Sequence, residues 1–181
     1  GRLDWAATES IVGKLRAAPG RMEAFQAEGA PTVVVDYAHT PDALKHALET
    51  ARWHTRGALW VVFGCGGDRD RGKRPLMGEV ASACADRIVL TSDNPRSERL
   101  ETIIADIQSG LPPSVQIDIE PDRTQAIQKS FDAAGADDLI LVAGKGHERT
   151  QTVGQRVIPY SDRATVAHLF GLISEGGLHA S

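Results

Sequence analysis

Cysteine is scarce in this 181-residue chain, which has only Cys65 and Cys84. Two thiols cannot build a disulfide framework or a four-cysteine zinc site. Basic charge is not in surplus either: Lys+Arg 20 against Asp+Glu 24 gives a formal charge of −4. That balance argues against a sequence-independent nucleic-acid binder, which gains affinity by releasing counterions from phosphates. No apolar run reaches the roughly 18–20 residues that a bilayer crossing needs, and no charged–apolar–small signal segment opens the chain. The expectation is a soluble, cytoplasmic protein of about one domain.

Several catalytic signatures are missing as well. A phosphate-binding P-loop needs Gly-Lys followed by Ser or Thr, and Gly13-Lys14, Gly72-Lys73 and Gly144-Lys145 all fail that test. No Gly-x-Ser-x-Gly elbow supports a hydrolase triad. Gly64-Cys65-Gly66 begins a dinucleotide fingerprint but has Arg69 where its last glycine belongs. His46, His54, His168 and His179 lack metal-ligand spacing. Cys65 has no positioned base to make it a nucleophile, and Cys84 reads as core. No residue is assigned a covalent or metal-binding role.

What is present is alternation. Apolar runs at 32–37, 59–64, 87–91 and 139–143 read as buried strands, with a weaker edge strand at 115–119. Amphipathic helices lie between them: Leu44, Ala47, Leu48 and Ala51 share one face, as do Leu100, Ile103, Ile104 and Ile107. A last helix carries Val166, Leu169, Phe170 and Ile173, entered through Ser161 or Asp162. Residues 151–160, with Gly154-Gln155 at the turn, form a hairpin or antiparallel edge. This is an α/β pattern, a Rossmann-like, mostly parallel sheet with helices on both faces. Residues 3–16 read as a helix stopped by Pro19-Gly20, either a docking arm or the closing piece of a preceding domain.

In such a sheet, ligands bind at the carboxyl ends of the strands. Four polar clusters fall there: Asp36 to Asp42 after the first strand, Gly64 to Pro75 after the second, Ser92-Asp93-Asn94-Pro95-Arg96 after the third, and Gly144-Lys145-Gly146-His147-Glu148 after the fifth. Each has a plainer reading. Asp36 and His39 would cap the next helix, the glycine-rich loop would be a solvated turn, and Asn94-Pro95 a turn alone. Lys73 and Arg74 face either an anionic ligand or a salt-bridged helix start. Four clusters at equivalent positions read as one site.

Gly20-Arg21-Met22-Glu23-Ala24-Phe25, Asp36-Tyr37-Ala38-His39-Thr40-Pro41-Asp42, Gly64-Cys65-Gly66-Gly67-Asp68-Arg69-Asp70, Lys73-Arg74-Pro75, Asp93-Asn94-Pro95-Arg96 and Gly144-Lys145-Gly146-His147-Glu148 occur in this order. Together, over about residues 20–175, they resemble the C-terminal domain of the Mur ligases, and most of all the diaminopimelate-adding branch. The resemblance implies that residues 1–19 close a central ATPase domain and that 20–181 form the C-terminal domain. It also implies that the P-loop, the magnesium ligands and the UDP-sugar pocket lie outside this chain, so that the chain alone is inactive.

For the family, ATP with Mg2+ activates the glutamate carboxylate of UDP-MurNAc-L-Ala-D-Glu, and an amine of meso-diaminopimelate attacks it. The resemblance implies that Arg69, Asp93, Asn94, Pro95, Arg96, Gly144 and Glu148 hold diaminopimelate. Arg96 and Arg69 suit its far carboxylate and Glu148 its far ammonium. It places Arg21, Asp36 and His39 beside ATP, which the central domain binds for the most part. No nucleic acid and no membrane insertion are expected. The alternatives are a lysine-adding or other amide ligase of the superfamily, and a stand-alone nucleotide-binding module.

Overall fold

The computed structural model describes residues 18–173. The helix expected over 3–16 and His179 lie outside them. Six strands form one sheet in the order β1-β2-β6-β3-β4-β5. They are β1 Glu23–Phe25, β2 Thr32–Asp36, β3 Leu59–Phe63, β4 Arg87–Leu90, β5 Ile117–Ile119 and β6 Leu139–Ala143. The last five run parallel, and only β1 is antiparallel, pairing Ala24 with Val34. β7 Thr150–Val153 and β8 Arg156–Pro159 make the expected hairpin, as a separate two-stranded sheet.

Alternation along β2 decides the layers. Val34 faces a core with Leu44, Leu48, Met77, Ile103 and Ile107, whereas Val33 and Val35 face another with Ile127 and Val166. The first core is covered by α1 Pro41–Trp53, α2 Lys73–Cys84 and α3 Leu100–Gln108, the second by α4 Arg123–Ala133 and α5 Asp162–Leu169. Every residue of β6 is buried, as a central parallel strand covered on both faces requires.

Several details depart from the sequence expectation. β1 is too short and too polar to show a period of its own; its Glu23 is tied across the fold to Arg163 by hydrogen bonds of 2.5 and 2.8 Å. The cap of α1 is Thr40, whose hydroxyl accepts from the Ala43 N–H; Asp36 and His39 do not cap it. Asp36 instead accepts from the N–H groups of Met22 and Ala38, both at 2.8 Å. Ser161, not Asp162, caps α5, which ends at Leu169 and leaves Ile173 beyond it.

Because β6 sits between β2 and β3, the chain leaves β2 and β3 on either side of it. The loops after β2, β3, β4 and β6 therefore open onto one crevice at the carboxyl edge of the sheet, the switch-point position where open α/β sheets bind ligands.

Candidate functional site

The crevice is an open cleft of about 470 Å3 lined by residues from all four loops, including Tyr37, His39, Arg69, Lys73, Asp93, Asn94, Arg96, Gly144 and Glu148. Six of the seven residues expected to hold the amino acid thus share one cavity. Pro95 does not line it. Its carbonyl packs on Gly67 so tightly that a Cβ there would lie 1.9 Å from the Pro95 oxygen, which makes Gly67 the contact that lets the two loops meet. Of the residues expected beside a nucleotide, His39 lines the cleft, while Arg21 and Asp36 do not.

One wall is cationic. Arg96 lies in the left-handed region at φ 51°, unusual for a residue with a side chain. The hairpin holds it there: its N–H donates to the Thr152 carbonyl at 3.0 Å, and its carbonyl accepts from Gly154 at 2.7 Å. One guanidinium nitrogen donates to the Gly67 carbonyl at 2.8 Å, and no carboxylate among the described residues pairs with Arg96. Arg69 is exposed, and among the described residues it donates to the Asp68 carbonyl alone, at 3.2 Å. Asp68, also left-handed at φ 53°, accepts from the Ser97 N–H and hydroxyl, pinning the two loops together. Lys73 Nζ donates to the His39 carbonyl at 2.7 Å and reaches the cleft, the ligand-facing alternative of its two readings.

Arg74 takes the other alternative. It is fully buried and salt-bridged to Glu98 and Asp106, both at 2.8 Å, while donating to the Gly66 carbonyl. It braces the glycine loop from beneath.

The cleft also has an anionic wall. Asp93 and Asn94 are buried at the end of β4, and Glu148 is half-buried. Burial pushes the Asp93 carboxyl up, against the pull of the Arg123 and Lys145 charges. Burial also works against Glu148, but the Lys145 ammonium, the Asn94 amide and the Arg96 charge together outweigh it and hold Glu148 below the usual carboxylate range. Asn94 stands between the walls, its amide nitrogen donating to Glu148 Oε2 at 3.0 Å.

The sequence reading missed two supports. Lys145, rejected as a P-loop lysine, is fully buried between Asn94 and Glu148. Its signal was available as a lone lysine ending an apolar strand. The second support is Arg123, fully buried and bidentate to Asp162 at 2.8 and 2.9 Å, which also donates to the Ser92 and Ala143 carbonyls. It clamps the ends of β4 and β6 at the cleft floor, and nothing in its local sequence separates it from a surface arginine.

Beside the cleft, the Tyr37 ring meets His39 at 4.6 Å and His147 at 5.1 Å between centroids, with the Arg21 guanidinium 5.4 Å from its own centroid. His39 Nδ1 lies 2.8 Å from the Tyr37 carbonyl; since a carbonyl only accepts, Nδ1 carries the proton and Nε2 is left as the open nitrogen. Among the described residues, no three His, Cys, Asp or Glu side chains stand close enough to hold a metal ion. Burial pushes the Cys65 thiol up to about 12, so it is no nucleophile.

Residues 20–146 match the family described as "Mur ligase, glutamate ligase domain". This chain belongs to the Mur ligase family. A UDP-N-acetylmuramoyl-L-alanyl-D-glutamate–2,6-diaminopimelate ligase from Alkalilimnicola ehrlichii is 56% identical over 157 residues, covering 87% of this chain and 31% of that protein. A solved structure of a ligase of the same name superposes with a TM-score of 0.81 at 43% identity, over 93% of this chain and 35% of the other. The ADP complex of E. coli FolC shares the fold at a TM-score of 0.56 and 20% identity, over 86% of this chain and 31% of its own. The chain spans about a third of the length of these relatives.

Proposed function

We propose that this chain is the amino-acid-accepting domain of an ATP-dependent ligase that adds meso-diaminopimelate to UDP-MurNAc-L-Ala-D-Glu in cytoplasmic peptidoglycan-precursor synthesis. In this reading residues 20–181 are the C-terminal domain and 1–19 close a central ATPase domain. The observation that carries it is the gathering of unlike charges in one cleft: Arg69 and Arg96 line it together with Asp93, Asn94 and Glu148. One end of diaminopimelate carries a carboxylate and an ammonium on the same carbon. Arg96, with Arg69, takes the carboxylate; Glu148 and Asp93 take the ammonium, and Asn94 donates to the carboxylate. The glycines at 66 and 144 let backbone and ligand approach closely. Held by one end, the amino acid presents its other amine away from the sheet, so the contribution to rate is orientation.

ATP supplies the phosphoryl group that activates the acceptor carboxylate, and its Mg2+ would be held mainly by groups outside this chain. Arg21 and His39 fit a nucleotide at the rim, as a cation and an open imidazole nitrogen flanking an aromatic face. Asp36 fits less well, since both its oxygens already serve backbone N–H groups.

The test is titration of the chain with meso-diaminopimelate, lysine and ATP, following backbone amides by NMR. Diaminopimelate should shift the amides around Arg69, Asn94, Arg96 and Glu148, with lysine much weaker. Arg96→Ala should weaken diaminopimelate by roughly 10- to 100-fold, the worth of hydrogen bonds to a charged group. Equal response to the two amino acids would favour a lysine-adding ligase, and tight ATP binding with no amino-acid response a nucleotide-binding module.

A further inference from the structure

Lys145 is the one lysine among the described residues with no exposed surface, and it reaches the cleft's anionic wall from behind. Its Nζ lies 2.9 Å from Glu148 Oε2, 3.1 Å from Asn94 Oδ1 and 3.7 Å from Asp93 Oδ1, with the Tyr160 ring centroid at 5.9 Å. An ammonium taken wholly out of water needs such a ring of acceptors to be tolerated. The position is enforced from several sides. Gly144 and Gly146 on either side of Lys145 have φ of 116° and 52°, and a Cβ on Gly146 would lie 2.7 Å from that of Tyr37. The backbone therefore delivers the ammonium to one point.

Two consequences follow for the wall. Asn94 Oδ1 is occupied by the Lys145 ammonium and by the Thr152 N–H at 2.9 Å, so its amide cannot turn, and its nitrogen is the end left for Glu148 and the cleft. Lys145 is the one cation within 4 Å of Asp93 or Glu148 among the described residues, with Arg123 and Arg96 acting on them from further off, and Glu148, half-buried in the cleft lining, keeps surface open to a ligand's ammonium. We propose that Lys145 is a positioning residue that makes the cleft selective for an amino-acid terminus bearing both carboxylate and ammonium over one bearing an ammonium alone, by locking Asn94 as a donor and compensating one of the two wall carboxylates. The selectivity part rests on the amino-acid-site reading above; the locking of Asn94 does not.

The experiment uses the 181-residue chain and Lys145→Met, which keeps an unbranched side chain one atom shorter and removes the charge. Without ligand, the wild-type Lys145 Nζ–H signal should survive exchange with water in 15N NMR, and the Asn94 side-chain amide should move in Lys145→Met. With ligand, Lys145→Met should lose roughly tenfold or more in diaminopimelate affinity, the worth of the hydrogen bond to a charged group, while 1,5-diaminopentane, whose ends carry an ammonium alone, binds as well or tighter. An equal loss for diaminopimelate and the diamine means a purely structural role and overturns the selectivity claim. A rapidly exchanging Nζ in the wild type overturns the locking, and it can be read even where the variant does not fold. Absence of diaminopimelate preference in the wild type overturns the amino-acid-site reading, leaving the ligand-free measurement to decide the rest.

Discussion

At the scale of single residues, the charges under the glycine loop are those whose energetics can be followed through pH. Glu98 accepts from Arg74 and from the Asp68 N–H, and these bonds hold its carboxyl down at about 2, against a mild burial penalty. A carboxyl whose folded value lies below its unfolded one stabilises the fold above the unfolded value and ceases to do so as pH falls through the folded one. The chain should thus lose stability between about pH 4.5 and 2, with Glu98 and its neighbour Asp106, also held low by Arg74, both contributing. Urea melts across that window should show a shallower acid decline in Glu98→Gln; an unchanged slope would mean Arg74 is served well enough without it. Arg74 matters to the site only indirectly, by fixing the Gly66 carbonyl beneath Arg69 and Arg96.

At the scale of elements, the contact between α2 and α3 depends on a missing side chain. A Cβ on Gly78 would lie 2.3 Å from the Ile107 carbonyl oxygen. Alanine there would gain about 0.8–1 kcal/mol of helix propensity. It would meet backbone rather than a movable side chain, and overpacking of that kind costs about 1–3 kcal/mol or more. The steric term wins, so Gly78→Ala should lower unfolding free energy by at least about 1 kcal/mol in denaturant melts; a stabilised variant would show that the two helices slide apart freely. The same scale explains what periodicity could reveal. α1 and α3 were legible because their apolar residues recur on one face. α2 has only a weak stripe and buries Arg74 and Gly78 within it, and α4 buries Arg123 and Ser130, so neither was marked out by pattern.

Across the whole molecule, protection from solvent should grade outward from β6. That strand is buried throughout and paired on both sides, whereas β5 is an edge and β8 is exposed along its length. Hydrogen exchange should be slowest at the amides of Ile140, Leu141 and Val142, close to the global unfolding limit, and fast in β8. Equal protection in β8 would require a cover over the hairpin.

The sequence by itself determined the layered α/β architecture and the gathering of most of the cleft's charged residues at the carboxyl edge of the sheet. Those are consequences of local alternation and of polar loops ending apolar strands, which any chain segment displays without its neighbours. Tertiary structure decided what pairing across distance decides. It drew Asp36 away to the Met22 N–H, buried Arg74 as a brace while leaving Lys73 in the cleft, and set Pro95 against Gly67 rather than in the cleft lining. It also brought Lys145 to Asn94, 51 residues away, and Arg123 to Asp162, 39 away. A charged side chain acquires its role from the partner it meets, and that partner is chosen by strand order, which no local pattern contains.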